Sequence, residues 1–185
     1  KRQAAVILDI APLEQIRSLP DENAAEALQR LPGVSMESDS GAGRFVNIRG
    51  MDADLNGTTY DGVRMMDNNP ASPQGGARAV ALDAFPAGFF GGLEVIKSLN
   101  PSMDAEGLGG VVNIQPRTIP MGQDHVFDAS IGGGIESLRD TGVYRGDITV
   151  GKRFLDDKLS VIFSYGYFKD SRGIDDIEED YINDP

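Results

Sequence analysis

The run Asp52-x-Asp54-x-Asn56-Gly57 sets three oxygen-bearing side chains at alternate positions ahead of a glycine, the opening half of a loop that can wrap calcium. The twelfth position of such a loop needs a bidentate glutamate, and here it is Val63. No helical pattern flanks the segment, so a plain Asn-Gly turn is favoured over a calcium site. His125 is the only histidine and cysteine is absent, which removes thiolate and His-rich metal sites and all disulfides. No serine stands in a nucleophile-elbow context, and nothing singles out a catalytic pair among the 29 acids. Gly41-Ala42-Gly43 lacks the third glycine and the following helix of a dinucleotide fingerprint. The residues therefore predict no enzyme, no cofactor and no bound metal.

Charge narrows the partners. A net charge of −12 and a pI near 4.4 argue against binding nucleic acid through its phosphates. Part of that charge is local: Asp175, Asp176, Glu178, Glu179, Asp180 and Asp184 crowd the last residues beside the single base Arg172, and a solvated loop is the simpler reading of the cluster. The start, KRQAAVIL, has no signal-peptide core. No run of eighteen apolar residues provides a membrane-spanning helix, which does not bear on barrel strands.

The charges that stand out lie beside apolar sequence. Leu93–Ile96 and Val111–Ile114 read as short buried strands around a turn-rich segment with Pro101, Gly107, Gly109 and Gly110. Glu94 and Lys97 flank the first of them, and ionised groups so placed need partners. Around these strands the pattern predicts a strand or extended lead-in over Ala4–Ile10, then a short helix from Pro12 with Leu13, Ile16 and Leu19 on one side. A second helix follows Pro20, capped by Asp21, with Ala24, Ala27, Leu28 and Leu31 on its apolar face, and Pro32-Gly33 stops it. Two strands at Val34–Glu37 and Arg44–Ile48, and a hairpin over Thr58–Met65 about Asp61-Gly62, come next. Met66–Gly76 is a loop by composition, and Val80–Phe90 has room for a helix broken by Pro86.

After Pro116 the period becomes two. Phe127, Ala129, Ile131, Gly133 and Ile135 alternate with Asp128, Ser130, Gly132 and Gly134. Tyr144, Gly146, Ile148 and Val150 oppose Arg145, Asp147, Thr149 and Gly151, and Leu159, Val161, Phe163, Tyr165 and Tyr167 oppose Ser160, Ser164 and Gly166. One apolar and one polar face in stretches of about ten residues is the signature of membrane-barrel strands. Taken alone, the alternation favours a soluble antiparallel sheet with one wet face, which needs a layer over the apolar side. Leu155-Asp156-Asp157-Lys158 reads as a tight periplasmic turn and the acidic stretch after Lys169 as a long outer loop. Aromatic residues fall at strand ends, with Phe127 and Phe154 on one side and Tyr144, Tyr165 and Tyr167 on the other.

Five blocks in order carry a family resemblance: NAAEALQRLPGV (Asn23–Val34), FVNIRGM (Phe45–Met51), NGTTYDGVRM (Asn56–Met65), LEVIKS from Leu93 and EGLGGVVNI from Glu106. Together they resemble the plug domain of TonB-dependent outer-membrane receptors, most of all the branch known from Caulobacter and Xanthomonas-like bacteria. The resemblance implies an α+β plug domain, a small mixed sheet with short helices, over residues 1–118. Behind it come the first three antiparallel strands of a transmembrane β-barrel over 119–168 and an acidic extracellular loop over 169–185. Three strands cannot close a barrel, and plugged transporters have about 22, so the chain is expected to be the N-terminal part of a larger receptor. Any signal peptide and TonB-contacting segment would then precede Lys1.

The implied function is active transport across the bacterial outer membrane, with the plug facing the periplasm and barrel lumen. It would admit a scarce extracellular solute, carbohydrate favoured, with an iron chelate or cobalamin possible. Its partners would be the TonB energy-transducing complex, outer-membrane lipid, the remaining barrel and the solute. By resemblance Arg49 pairs with barrel-wall carboxylates, with Glu94, Lys97 and Arg78 in the same network, although Lys97 stands where many relatives carry arginine. An internal Arg49–Glu94 salt bridge competes with that reading. The family places the loop after Asp61-Gly62 at the outer apex, which makes Arg64, Asp67, Asn68, Asn69 and Gln74 candidate solute contacts. A soluble binding or scaffolding module that kept a plug-like fold without a pore is the alternative from another class. The two separate on whether Ile131, Ile148, Val161 and Phe163 are covered by protein.

Overall fold

The computed structural model describes residues 7–12, 16, 23–39, 41–66, 78–86, 89–101, 103, 107–137 and 139–171. Its centre is a mixed five-stranded sheet in the order β1-β6-β7-β4-β5, built from β1 (Leu8–Pro12), β4 (Gly57–Tyr60), β5 (Val63–Arg64), β6 (Phe90–Ile96) and β7 (Val111–Pro116). The β4–β7 pair is parallel and the other pairs are antiparallel. The apolar runs around Leu93 and Val111 thus become the two innermost strands. Ala11, Leu93, Val95, Val112 and Ile114 join a single buried cluster with the helix α1 (Ala24–Leu28) and with a separate hairpin, β2 (Val34–Asp39) and β3 (Ala42–Ile48). Small alanines on α1 (Ala24, Ala25, Ala27) are fully buried, which lets the helix lie close to the sheet.

Local chemistry explains where the elements depart from expectation. The cap of α1 is Asn23, not Asp21, which lies outside the described residues. Both residue types cap well, but Asn23 is buried and its amide also donates to the Gly43 carbonyl at 2.9 Å while its oxygen accepts from the Glu26 N–H. A carboxylate has no such donor. Pro12 is the last residue of β1, an edge strand, where proline is tolerated, and Ile16 beyond it is helical. Ile16 is buried, and the remainder of the expected first helix falls outside the described residues. Among the described residues of 80–90 the helical structure is a 3-10 turn at Leu82–Ala84, with no side-chain cap at Ala81 and Pro86 close behind. The Asp61-Gly62 hairpin is as expected, with φ of 51° and 78° fitting a primed turn.

A loop over 107–110 is wedged between strands. Arg49 and Gly50 form a second tight turn, with φ of 56° and 73° and an Ile48–Met51 bridge. Gly110 has φ 154°, and a Cβ there would sit 2.8 Å from the Ile96 carbonyl oxygen and 3.0 Å from an Ile48 methyl. The loop is pinned by Gly57 N–H to Gly110 O at 2.9 Å and Gly109 N–H to Leu55 O at 3.3 Å.

The strands β8 (His125–Glu136), β9 (Thr141–Phe154) and β10 (Leu159–Lys169) form an antiparallel meander. Register places Phe127, Val150 and Phe163 in one row, and Ala129, Ile148 and Tyr165 in the next. These rows face away from the protein: Ile131 is 94% exposed, Phe163 64% and Val161 51%. The opposite face carries Asp128, Thr149 and Ser164 in one row and Ser130, Asp147 and Gly166 in another. It turns towards the five-stranded unit, and a Cβ at Gly166 would lie 3.4 Å from the Phe89 ring. Tyr165 sits opposite Ile148 in mid-sheet, which corrects its expected place at a strand end. Leu155–Lys158 is a tight turn, with Lys158 N–H bonded to Leu155 O.

Two glycine substitutions test the wedged loop. Gly50→Ala, where nothing lies within 4 Å of the new Cβ, should cost about 1 kcal/mol for its left-handed backbone alone. Gly110→Ala, which also meets main-chain atoms, should cost about 2–3 kcal/mol. Urea unfolding of the two variants in parallel checks this order, and equal costs would contradict the packing described.

Candidate functional site

Two features gather the polar chemistry: a cleft at one end of the five-stranded sheet, and the seam where the linker after β7 meets the three-stranded sheet. The cleft, about 810 Å³ in volume, opens where β4 and β7 begin and β6 ends. Asp54, Arg64, Arg78, Thr59 and Asn113 line it together with Met65, Met103 and Leu108. The acids of the calcium-like run serve as local ties. Asp52 caps the 3-10 turn Ala53–Leu55 by accepting from Asp54 N–H at 2.9 Å. Asp54 Oδ1 accepts from the N–H groups of Arg78 and Ala79 at 2.9 and 3.0 Å, and Asn56 Nδ2 donates to Val46 O at 3.0 Å. Their carboxylates do not converge, and no acidic cluster suited to a metal occurs among the described residues.

The expected charged network is divided among separate tasks. Arg49 donates from Nε to Gly109 O and from a terminal nitrogen to Leu108 O, both at 2.8 Å. The Arg49-Gly50 turn thereby aims a guanidinium at the wedged glycine loop. Glu94 accepts from Asn113 Nδ2 at 2.8 Å and Gln115 Nε2 at 2.6 Å. The competing Arg49–Glu94 salt bridge does not form, because both side chains are already committed elsewhere. Lys97 pairs with Asp9 of β1 at 2.8 Å and also donates to Pro32 O, so its partner is an acid of the same sheet. Arg78 lines the cleft beside Arg64. Asp67, Asn68, Asn69 and Gln74 lie outside the described residues.

Sequence reasoning missed Arg117. Its side chain, only 6% exposed, reaches Asp128 of β8 and the Thr149 hydroxyl of β9, and Thr149 in turn bonds Ser164 of β10 at 2.9 Å. From the other side Arg153 of β9 donates to Ile119 O at 2.6 Å. A signal was present: Arg117 is the single cation between β7 and β8, followed by acids on the polar face of the alternating strands.

A family model of the TonB-dependent receptor plug domain matches residues 1–111. The chain belongs to this family. Its fold is similar to the crystal structure of the ferric citrate transporter FecA in the unliganded form, with a TM-score of 0.72 and 21% identity over 90% of this chain and 26% of that one. It is also similar to the siderophore receptor PirA from Acinetobacter baumannii, with a TM-score of 0.63 and 20% identity over 87% of this chain and 24% of that one. The alcaligin outer-membrane receptor FauA from Bordetella pertussis matches with a TM-score of 0.60 and 16% identity over 89% and 27%. At these identities the likeness is one of fold, and this chain spans about a quarter of the length of those proteins. Coverage of 90% necessarily takes in part of the three-stranded sheet behind the plug. No curated protein matches the chain.

The linker seam yields a mutational prediction. Arg117→Ala removes the guanidinium paired with the Asp128 carboxylate, which is 31% exposed, and should cost about 2–3 kcal/mol, less than a fully buried pair because water still reaches the acid. Arg117→Ala combined with Asp128→Asn should recover part of that loss. Additive losses in a denaturant-based double-mutant cycle would show the pair to be uncoupled.

Proposed function

We propose that residues 1–118 plug the lumen of an outer-membrane β-barrel, that residues 119–168 are its first three wall strands, and that 169–185 form an outer loop. The polarity of the three-stranded sheet carries this reading. Its apolar rows face outward, and its polar rows take the plug and linker through Arg117, Asp128 and Thr149. A lipid-facing wall around a polar lumen requires this arrangement. A soluble plug-like module is not favoured, since it would leave Ile131, Val161 and Phe163 in water.

The protein then acts as an active transporter in the bacterial outer membrane, with lipid, the rest of its barrel and the TonB energy-transducing complex as partners. The tight turn Leu155–Lys158 faces the periplasm. Strand β7 starts at the cleft and runs down to the linker, so the cleft opens towards the outside, where a small solute would meet Arg64; Asp67, Asn68, Asn69 and Gln74 stay candidate contacts by family resemblance alone. Arg49 and Lys97 keep the plug compact in the closed state. Glu94 lies on the sheet face opposite the core, in the cross-strand row of Asn113 and Thr59, where it can meet a cation of the barrel wall. The likenesses give carbohydrate no support: the three similar structures are those of a ferric citrate transporter, a siderophore receptor and an alcaligin receptor. The solute is therefore left as a small extracellular molecule. The Caulobacter and Xanthomonas-like branch rests on the sequence blocks alone.

Placing a charge on each face of the wall tests the reading. Ile148→Lys, midway along β9 on the outward face, should cost about 2–4 kcal/mol at the bilayer midplane and deplete the full-length receptor from the outer-membrane fraction. Ser160→Lys, on the opposite face, should leave assembly intact. Normal membrane assembly of the Ile148→Lys receptor would refute the lipid-facing assignment.

A further inference from the structure

We infer that Asn56-Gly57 is a site of spontaneous covalent modification, deamidation of the Asn56 amide. The seated Gly107–Gly110 loop blocks the reaction, and withdrawal of the loop releases it. The inference needs only that this loop leaves its seat, whatever drives the movement, so it does not rest on the transporter reading.

The chemistry is intramolecular. The Gly57 nitrogen gives up its proton to hydroxide and forms a bond to Asn56 Cγ. The amide nitrogen Nδ2 takes a proton from water and leaves as ammonia, and a five-membered cyclic imide remains. Water then opens the ring at either carbonyl, leaving aspartate or isoaspartate at position 56. Glycine after the asparagine favours the attack, because no Cβ shields its nitrogen.

In the closed plug every participant is held. The Gly57 N–H donates to the Gly110 carbonyl at 2.9 Å, which keeps its proton in place. A Cβ at Gly107 would lie 2.9 Å from the same nitrogen, so the loop also covers it. Asn56 Oδ1, on which negative charge develops during the attack, is buried and has no donor among the described residues, and an oxyanion without donors is strongly disfavoured. Gly109 shuts this oxygen in, since a Cβ there would overlap it. The leaving nitrogen donates to the carbonyls of Val46, Met51 and Asp52 at 3.0, 3.4 and 3.2 Å. The restraints on the Gly57 nitrogen and on Asn56 Oδ1 both come from the Gly107–Gly110 loop. Its departure therefore frees the nucleophile and admits water to the oxyanion in one movement. Asn56 and Gly57 line the cleft and are half-buried, so solvent is close at hand. The product does not fit the old seat. An ionised carboxylate only accepts hydrogen bonds, and it would meet three carbonyl oxygens where the amide donated. A plug that has opened is thereby marked, and its loop seat is weakened.

The test is peptide mapping by mass spectrometry of the full-length receptor, incubated at mildly alkaline pH folded in detergent and, in parallel, unfolded in urea. The tryptic peptide Gly50–Arg64 holds Asn56 as its sole asparagine, so the mass gain of deamidation in it belongs to that residue. The folded receptor should react at least about tenfold more slowly than the unfolded chain, as a reaction through a minor open form requires. Arg49→Gln, which removes both guanidinium bonds to the loop, should raise the folded-state rate about tenfold. Its peptide starts at Phe45, and fragment ions separate Asn56 from Asn47. Arg49→Lys, which keeps the charge and loses the fork, is the milder variant and should fall between. Arg117→Ala, remote from the loop, should leave the rate unchanged. Isoaspartate should accompany aspartate, since direct hydrolysis gives aspartate alone. Equal rates in folded and unfolded receptor, no acceleration in either Arg49 variant, equal acceleration in Arg117→Ala, or aspartate without isoaspartate would overturn the proposal.

Discussion

The structure depends on a polarity that is inverted relative to a soluble sheet. In β8–β10 the carboxylates and small hydroxyls of Asp128, Ser130, Asp147, Thr149 and Ser164 face the protein, and most large apolar side chains face away from it. Such a sheet cannot join the hydrophobic core of the plug, because its inner face offers hydroxyls and carboxylates. It must be held by polar bonds. Thr149 is 1% exposed, a burial that a hydroxyl tolerates only with partners, and it has two, Arg117 and Ser164. Towards the tight-turn end, Val126 and Ile162 flank Gly151 on this same face, and a Cβ at Gly151 would come within 2.9 Å of both. The glycine leaves room for two apolar side chains to close the inner surface where polar bonds give out.

Within the plug, the family blocks are parts of one mechanical arrangement. The Ile48-Arg49-Gly50 turn exists to deliver a guanidinium to the carbonyls of Leu108 and Gly109. The glycines of the distant Gly107–Gly110 loop exist because that loop is pressed against Ile48, Asn56 and Ile96. Two blocks some sixty positions apart are thus a single contact seen from its two sides. An arginine is suited to this because its planar fork can serve two carbonyls at once.

How much of this could be read in advance follows from the range of each signal. The innermost strands, the Asp61-Gly62 hairpin and the alternating strands were legible, since period and turn chemistry are local properties. The face of each alternating residue followed from parity alone. The start of α1 was not legible. Asp21 and Asn23 are equivalent caps locally, and the choice is made by the Gly43 carbonyl twenty residues away. The place of Pro12 in an edge strand was not legible for a similar reason: it is set by β6 and not by its neighbours. The candidate ion-pairing residues were recognised as important charges, but their partners within the plug were not, because a charge in sequence says that a partner is needed and nothing about which one.

Lys97 shows what that need implies. Its ammonium and the Asp9 carboxylate are 12% and 14% exposed, so the pair has lost most of its water and neither member can be withdrawn cheaply. The same ammonium holds the Pro32 carbonyl at the turn after α1, while Lys97 N–H bonds Ile7 O and Ser98 Oγ accepts from Ile7 N–H. Three segments, β1, the end of β6 and the α1–β2 turn, therefore meet on one residue. If Lys97 instead faced a carboxylate on the barrel wall, Asp9 would lose this ammonium, and β1 would lose its side-chain tie to the end of β6. The charge is better explained as the fastening of the N-terminal edge strand to the sheet, and movement of that strand must begin by breaking it.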